Sequence, residues 1–109
     1  MKTLKLNIDY GAKETKESPS QITVSYIEYA VNSTHEKGLE GQMRRTFGRI
    51  QRKLDAAIDE GKNEVTLEES EKDFIKECFK SAKFPAQISK FVVKLEEEIE
   101  RMDKEEDGE

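Results

Sequence analysis

The chain has no tryptophan, one cysteine, one histidine and two prolines. It also has no apolar run approaching the roughly 20 residues that cross a bilayer. Each shortage closes a class of function. With Cys78 alone no intrachain disulfide can form, which suits a reducing cytoplasm and predicts a cytoplasmic protein without membrane association. The opening MKTLKLNIDY has a basic start but alternates apolar and polar residues, unlike a signal peptide. Asn32-Ser33-Thr34 matches the glycosylation triplet, which means nothing without a secretory signal.

Catalytic material is equally scarce. A zinc site needs three or four N/S/O ligands, and His35 and Cys78 have no cluster around them, so no metal is expected. Cys78 falls on the apolar stripe of its helix, where a thiol is inert core. His35 lies in a polar connector, a poor place for the preorganised base of a Cys–His or Ser–His–Asp arrangement. The 24 acids are too many for any pair to stand out as general acid and base. None of the six glycines falls in a GxGxxG or P-loop pattern, so no cofactor is expected. The sequence therefore predicts a protein that is not an enzyme.

What the chain does have is charge. Charged residues make up 39% of 109 and hydrophobic ones 34%, enough for one domain with a thin core. Residues 96–109 hold nine acids against Arg101 and Lys104, a net −7. Since the whole chain carries −5, residues 1–95 carry +2. This predicts a single mildly basic domain over 1–102 and a solvated acidic tail over 103–109.

Thr3 to Tyr10 alternates strictly, with Leu4, Leu6, Ile8 and Tyr10 on one face, and predicts a strand. Gly11 to Ser20 reads as a long hairpin loop. Gln21 to Val31 is rich in β-branched and aromatic residues and suits a second strand, where the switch of apolar parity between Tyr26 and Ile27 implies a bulge or burial of both faces. A competing signal lies at Ser18-Pro19-Ser20-Gln21, which would serve as an N-cap with Pro at N1 and Gln at N3 of a helix. Propensity favours the strand.

After a connector over Asn32–Gly41, Met43, Phe47, Ile50, Leu54 and Ile58 recur at helical spacing, giving a helix over about 40–60 stopped by Gly61. Lys62–Val65 links onward and has room for a short strand. Thr66 with Glu69 is a capping box opening a helix to about Lys83. Phe84-Pro85 breaks it. The last helix carries Ile88, Phe91, Val92, Leu95, Ile99 and Met102, with Glu97/Arg101 and Glu100/Lys104 as i,i+4 pairs. The expected fold is α+β: an N-terminal β-hairpin packed on a three-helix C-terminal portion. A hairpin edge, or the stripe of Phe91, Leu95 and Ile99, would support a homodimer.

One feature points outward. Opposite the apolar stripe of helix 40–60 lie Arg45, Arg49, Arg52 and Lys53, with Arg44 on the flank and no acid among them. Helices prefer acids in the first turn and bases in the last. This one places Arg44 and Arg45 early and Asp55, Asp59 and Glu60 late. The five bases read either as a solvated face paired with the chain's own acidic tail, or as a site that docks an anionic partner. Arginine in four of five positions favours planar, bidentate contacts. An acidic protein patch and nucleic acid are both candidate partners, but the chain lacks the aromatic platforms and strongly basic balance of most nucleic-acid binders.

The cadence VTLEESEKDFIKECFKSAKFP, following an arginine-rich helix, resembles small accessory proteins encoded by bacteriophages and prophages. The resemblance covers about residues 40–102. It implies a non-enzymatic protein that binds a phage or host protein by surface occupancy, as in counter-defence, and so acts in the host cytoplasm. The alternative from another class is a nucleic-acid-binding accessory protein using the same arginine face.

Overall fold

Ser18 decides the first half of the fold. In the computed structural model, which describes residues 2–11 and 17–104, its hydroxyl accepts the Gln21 amide at 3.2 Å. The Gln21 side chain returns the bond to the Ser18 amide at 3.0 Å. Pro19 stands in the first turn, where a missing N–H costs nothing. The segment Pro19–Thr34 is accordingly a helix, α1, and not the strand expected over 21–31. The physical reason lies in the parity switch at Tyr26–Ile27. Ile22, Thr23, Ile27, Ala30 and Val31 all bury together, which is a helical period and not a bulged strand. Burial and capping outweigh a β propensity that spans only about 1 kcal/mol.

The first strand, β1 (Lys2–Lys5), therefore has no neighbour in 21–31. It pairs antiparallel with β2 (Glu64–Leu67), in the register Lys2 to Leu67 and Lys5 to Glu64. The strand pair is thus closed across α1 and α2 (Gly41–Asp59), and is not a local hairpin. After β2 come α3 (Glu69–Ser81), a 3₁₀ turn at Ala86–Ile88 behind Pro85, and α4 (Ser89–Asp103). The α+β class holds; among the described residues there are four helices instead of three. No helix there is long and apolar enough to cross a membrane.

One face of the sheet, Leu4, Val65 and Leu67, packs into a core completed by Ile27 and Val31 of α1, Ile50 and Leu54 of α2, Ile75 of α3, and Leu95, Ile99 and Met102 of α4. The alternation of β1 outlasts its hydrogen-bonded ladder: Leu6, Ile8 and Tyr10 are also buried. This arm is pinned by a polar knot. Thr23 donates to the Leu6 carbonyl at 2.6 Å, and the Tyr10 hydroxyl meets Thr23 Oγ1 at 2.7 Å. Tyr26 packs edge-on against Tyr10, with centroids 5.5 Å apart. Burial pushes the Tyr10 phenol up to about 12 from its ordinary 10.0.

That shift has a stability consequence at high pH. The unfolded phenol ionises first, so wild-type stability falls as pH rises above 10 and towards about 12. The Tyr10→Phe variant should be about 1 kcal/mol less stable near pH 7, having lost the hydroxyl contact. It should also lose less stability over the alkaline window, with a residual slope from Tyr26, itself raised by burial. Denaturant titrations at pH 7 and pH 11 check both; identical pH dependence of the two proteins refutes the knot's role.

Candidate interaction surface on the second helix

The arginine helix α2 is built without the usual electrostatic aids. Its N-cap, Glu40, makes no side-chain capping bond; no acid lies in the first turn and no base in the last. It is held by its buried side, Thr46, Phe47, Ile50, Leu54 and Ala57. Met43, expected at the head of this stripe, is 46% exposed, and Ile58 is half-buried. The stripe buries only where another element lies against it, from Phe47, whose ring meets Phe74 of α3 at 6.1 Å, to Ala57.

The five bases of this helix separate into two groups. Arg49 and Lys53 turn to Glu71 of α3, a carboxylate with 0% exposure. One of its oxygens accepts Lys53 Nζ at 2.5 Å and the Glu68 amide at 2.8 Å. The other lies 3.5 Å from Arg49 Nε. Burial alone would raise the Glu71 pKa, but the Glu68 amide, Lys53 and Arg49 together hold it below the ordinary value. The cap of α3 is therefore Glu68 with Glu71, two residues beyond the expected Thr66 and Glu69, because β2 keeps Thr66 in the sheet.

Arg44, Arg45 and Arg52 form the second group. All three are exposed, and none of their side chains has an ion pair or hydrogen bond among the described residues. Arg44 and Arg52 lie one turn either side of Gly48, with Arg45 beside them, so helical spacing puts the three arginines on one face with the glycine. A Cβ added at Gly48 would meet nothing within 4 Å. Sequence inspection missed Gly48; a glycine in mid-helix among arginines was the available signal.

A second buried charge of α3, Lys72, points to α4. Its ammonium lies 2.5 Å from Asp103, 2.7 Å from Asp73 and 3.0 Å from Glu69, and Lys76 reaches Asp103 at 2.5 Å. The three carboxylates come within 4.8 Å of one another, close enough for a metal ion. The Lys72 ammonium already supplies that positive charge. Asp103, assigned by sequence to the acidic tail, is thus the last residue of α4 and ties it to α3; residues 105–109 of the tail lie outside the described ones. Arg101 pairs with Glu98 at 2.7 Å rather than with Glu97. Cys78 is buried, and burial pushes its thiol up, while His35 stacks on Phe74 at 5.9 Å.

Comparison of the chain with protein-family models, curated proteins and solved structures finds no match.

Two outcomes follow for the buried charges. Glu71→Ala should cost about 1–3 kcal/mol in denaturant unfolding, since the Glu68 amide and both bases lose their acceptor; a smaller loss than that of an exposed Glu→Ala control would refute this. Hydrogen bonds from Lys72 and Lys76 lower Asp103 from 3.8 to about 2. A depressed carboxylate contributes stability above its unfolded pKa and loses it as pH falls through the folded one. Asp103→Asn should therefore melt below wild type at pH 7, with the gap closing between pH 4 and pH 2. A gap unchanged at pH 2 would show that Asp103 acts through packing and not through charge.

Proposed function

We propose that this chain is a non-enzymatic interaction module that docks an acidic protein surface on the exposed face of α2, through Arg44, Arg45 and Arg52 around Gly48. The observation that carries this reading is the lack of any internal use for those residues. Three exposed arginines find no acid within the described structure, two of them near the helix end that disfavours cations. Glycine in a helix interior costs about 1 kcal/mol relative to alanine, and nothing around Gly48 requires its small size. A partner approaching the backbone closely would require it.

Protein is favoured over nucleic acid by what flanks the strip. The exposed face of α2 carries no aromatic ring on which a base could stack. Met43, exposed at the start of the helix, is a side chain suited to protein contacts. Occupancy of a phage or host protein surface, the role implied by the resemblance to phage accessory proteins, needs no more than this.

The test is the triple change Arg44→Gln, Arg45→Gln and Arg52→Gln, which spares Arg49 and Lys53. Stability should stay within about 0.5 kcal/mol per site. Proteins captured by the wild type in quantitative pull-downs should be lost, because each desolvated arginine contact contributes about 2 kcal/mol or more. Gly48→Ala should raise the melting temperature and weaken the same capture. If the triple variant captures the same proteins, the interface lies elsewhere. If instead it loses salt-sensitive binding to mixed DNA or RNA probes, the strip serves nucleic acid.

A further inference from the structure

A two-stranded sheet has two edges, and α4 closes one of them. On β1, the Thr3 carbonyl accepts Arg101 at 3.0 Å and the Lys5 amide donates to Glu98 at 2.9 Å. In an antiparallel ladder, opposed residues alternate between exchanging both bonds and exchanging none. Thr3 and Lys5 thus point their main-chain groups outward, towards α4. Their partners Thr66 and Glu64 must point theirs outward on the far side, and the Leu6 amide bonding the Asn63 carbonyl at 2.8 Å fits this phase. Nothing among the described residues bonds those outward groups of β2. An open groove of about 840 Å³ runs along this edge, walled by Lys53, Ala56 and Glu60 of α2. The other surface expected to self-associate is closed, since Leu95 and Ile99 are buried in the core.

We propose that the free edge of β2 pairs with β2 of a second copy of this chain, antiparallel about a twofold axis at Val65, giving a four-stranded sheet. Charge selects both the occupant and the register. The exposed face of this segment presents Lys62, Glu64, Thr66 and Glu68 in alternation. Only Glu64 and Thr66 offer outward bonds within the strand, so three symmetric registers are available. Pairing Glu64 with itself opposes two glutamates. Pairing Thr66 with itself sets Glu64 against the partner's Glu68. Pairing Glu64 with the partner's Thr66 avoids both and sets Lys62 opposite the partner's Glu68, twice by symmetry. Opposite charges directly across a ladder stabilise it and like charges do the reverse. The edge does not involve Arg44, Arg45 or Arg52, so this pairing and the docking function stand or fall separately.

A short edge buries little area, so association is expected at about 0.1–1 mM and not at nanomolar concentration. Sedimentation velocity on the full chain should show a mass rising above the 12.6 kDa monomer over that range. Lys62→Glu sets a glutamate opposite the partner's Glu68 and should weaken association at least tenfold; adding Glu68→Lys should restore it. Thr66→Pro removes an outward N–H while leaving the β1 ladder intact, and should abolish association. Circular dichroism on dilute samples confirms the fold of each variant, and the Lys62/Glu68 exchange stands alone if the proline variant fails to fold. A monomer throughout, unaltered association in Lys62→Glu, or a failure of the double exchange to restore it would overturn the proposal. So would an edge that captures extended peptides while the chain stays monomeric.

Discussion

The fold turns on a carboxylate that water does not reach. An ion of this kind costs several kcal/mol to bury, and it survives only when donors surround it. Glu71 has two donors on Oε1, the Glu68 amide and Lys53, and a further cation, Arg49, 3.5 Å from Oε2, which has no hydrogen-bond partner. Each of the three ties α3 to something else. The amide belongs to the turn that ends β2, and the two bases belong to α2. The carboxylate therefore joins strand, cap and neighbouring helix at one point. Its chain neighbour Lys72 faces the other way and does the same for the end of α4 through Asp103. Two adjacent residues of opposite charge thus set α3 between its neighbours. Such pairs add little net stability, since desolvation offsets most of the attraction. Their effect is on alternatives: sliding α3 against α2 or α4 would strand a buried charge. For a chain with only 34% hydrophobic residues that penalty matters, because apolar burial alone discriminates poorly among packings of a thin core.

This dependence also explains which parts of the fold could be read from the sequence. The α2 and α4 helices were legible because periodic apolar residues report burial along a single element. So was the alternation of Leu4, Leu6, Ile8 and Tyr10, which persists even past the paired strand. The partner of β1 was not legible. Its four-residue mate carries two buried side chains, Val65 and Leu67, and lies beyond two helices. Nothing local distinguishes that pairing from a hairpin with 21–31. The α1 segment is the instructive error. Its cap at Ser18 is visible in the sequence, but β propensity competes with it, and the helical spacing of Ile27, Ala30 and Val31 reads equally as a strand that is bulged or buried on both faces. Glu71 itself could not be singled out, because it stands among Glu68, Glu69, Asp73 and Glu77, and burial of one acid among five is a tertiary property.

The arginine face was legible as a set of five, and the structure reduces it. Arg49 and Lys53 are explained by Glu71, so they no longer call for an external partner. What is left is smaller and more specific: Arg44, Arg45 and Arg52 with Gly48 between them. Among the helices that carry charge near their ends, α3 follows the macrodipole. α3 begins with Glu69 and Glu71 and ends with Lys80, whereas α4 is mixed, with Lys90 in its first turn and Arg101 beside Asp103 in its last. α2 reverses the order at both ends, with arginines early and Asp59 last. A reversed helix costs a few tenths to about 1 kcal/mol per charge, and an interior glycine about as much again. Neither cost is offset among the described residues: the arginine side chains find no acid there, and a Cβ at Gly48 would meet nothing within 4 Å. Two unrelated departures from helix stability fall on the same few square nanometres of surface, while the bases that do have an internal use lie just beside them.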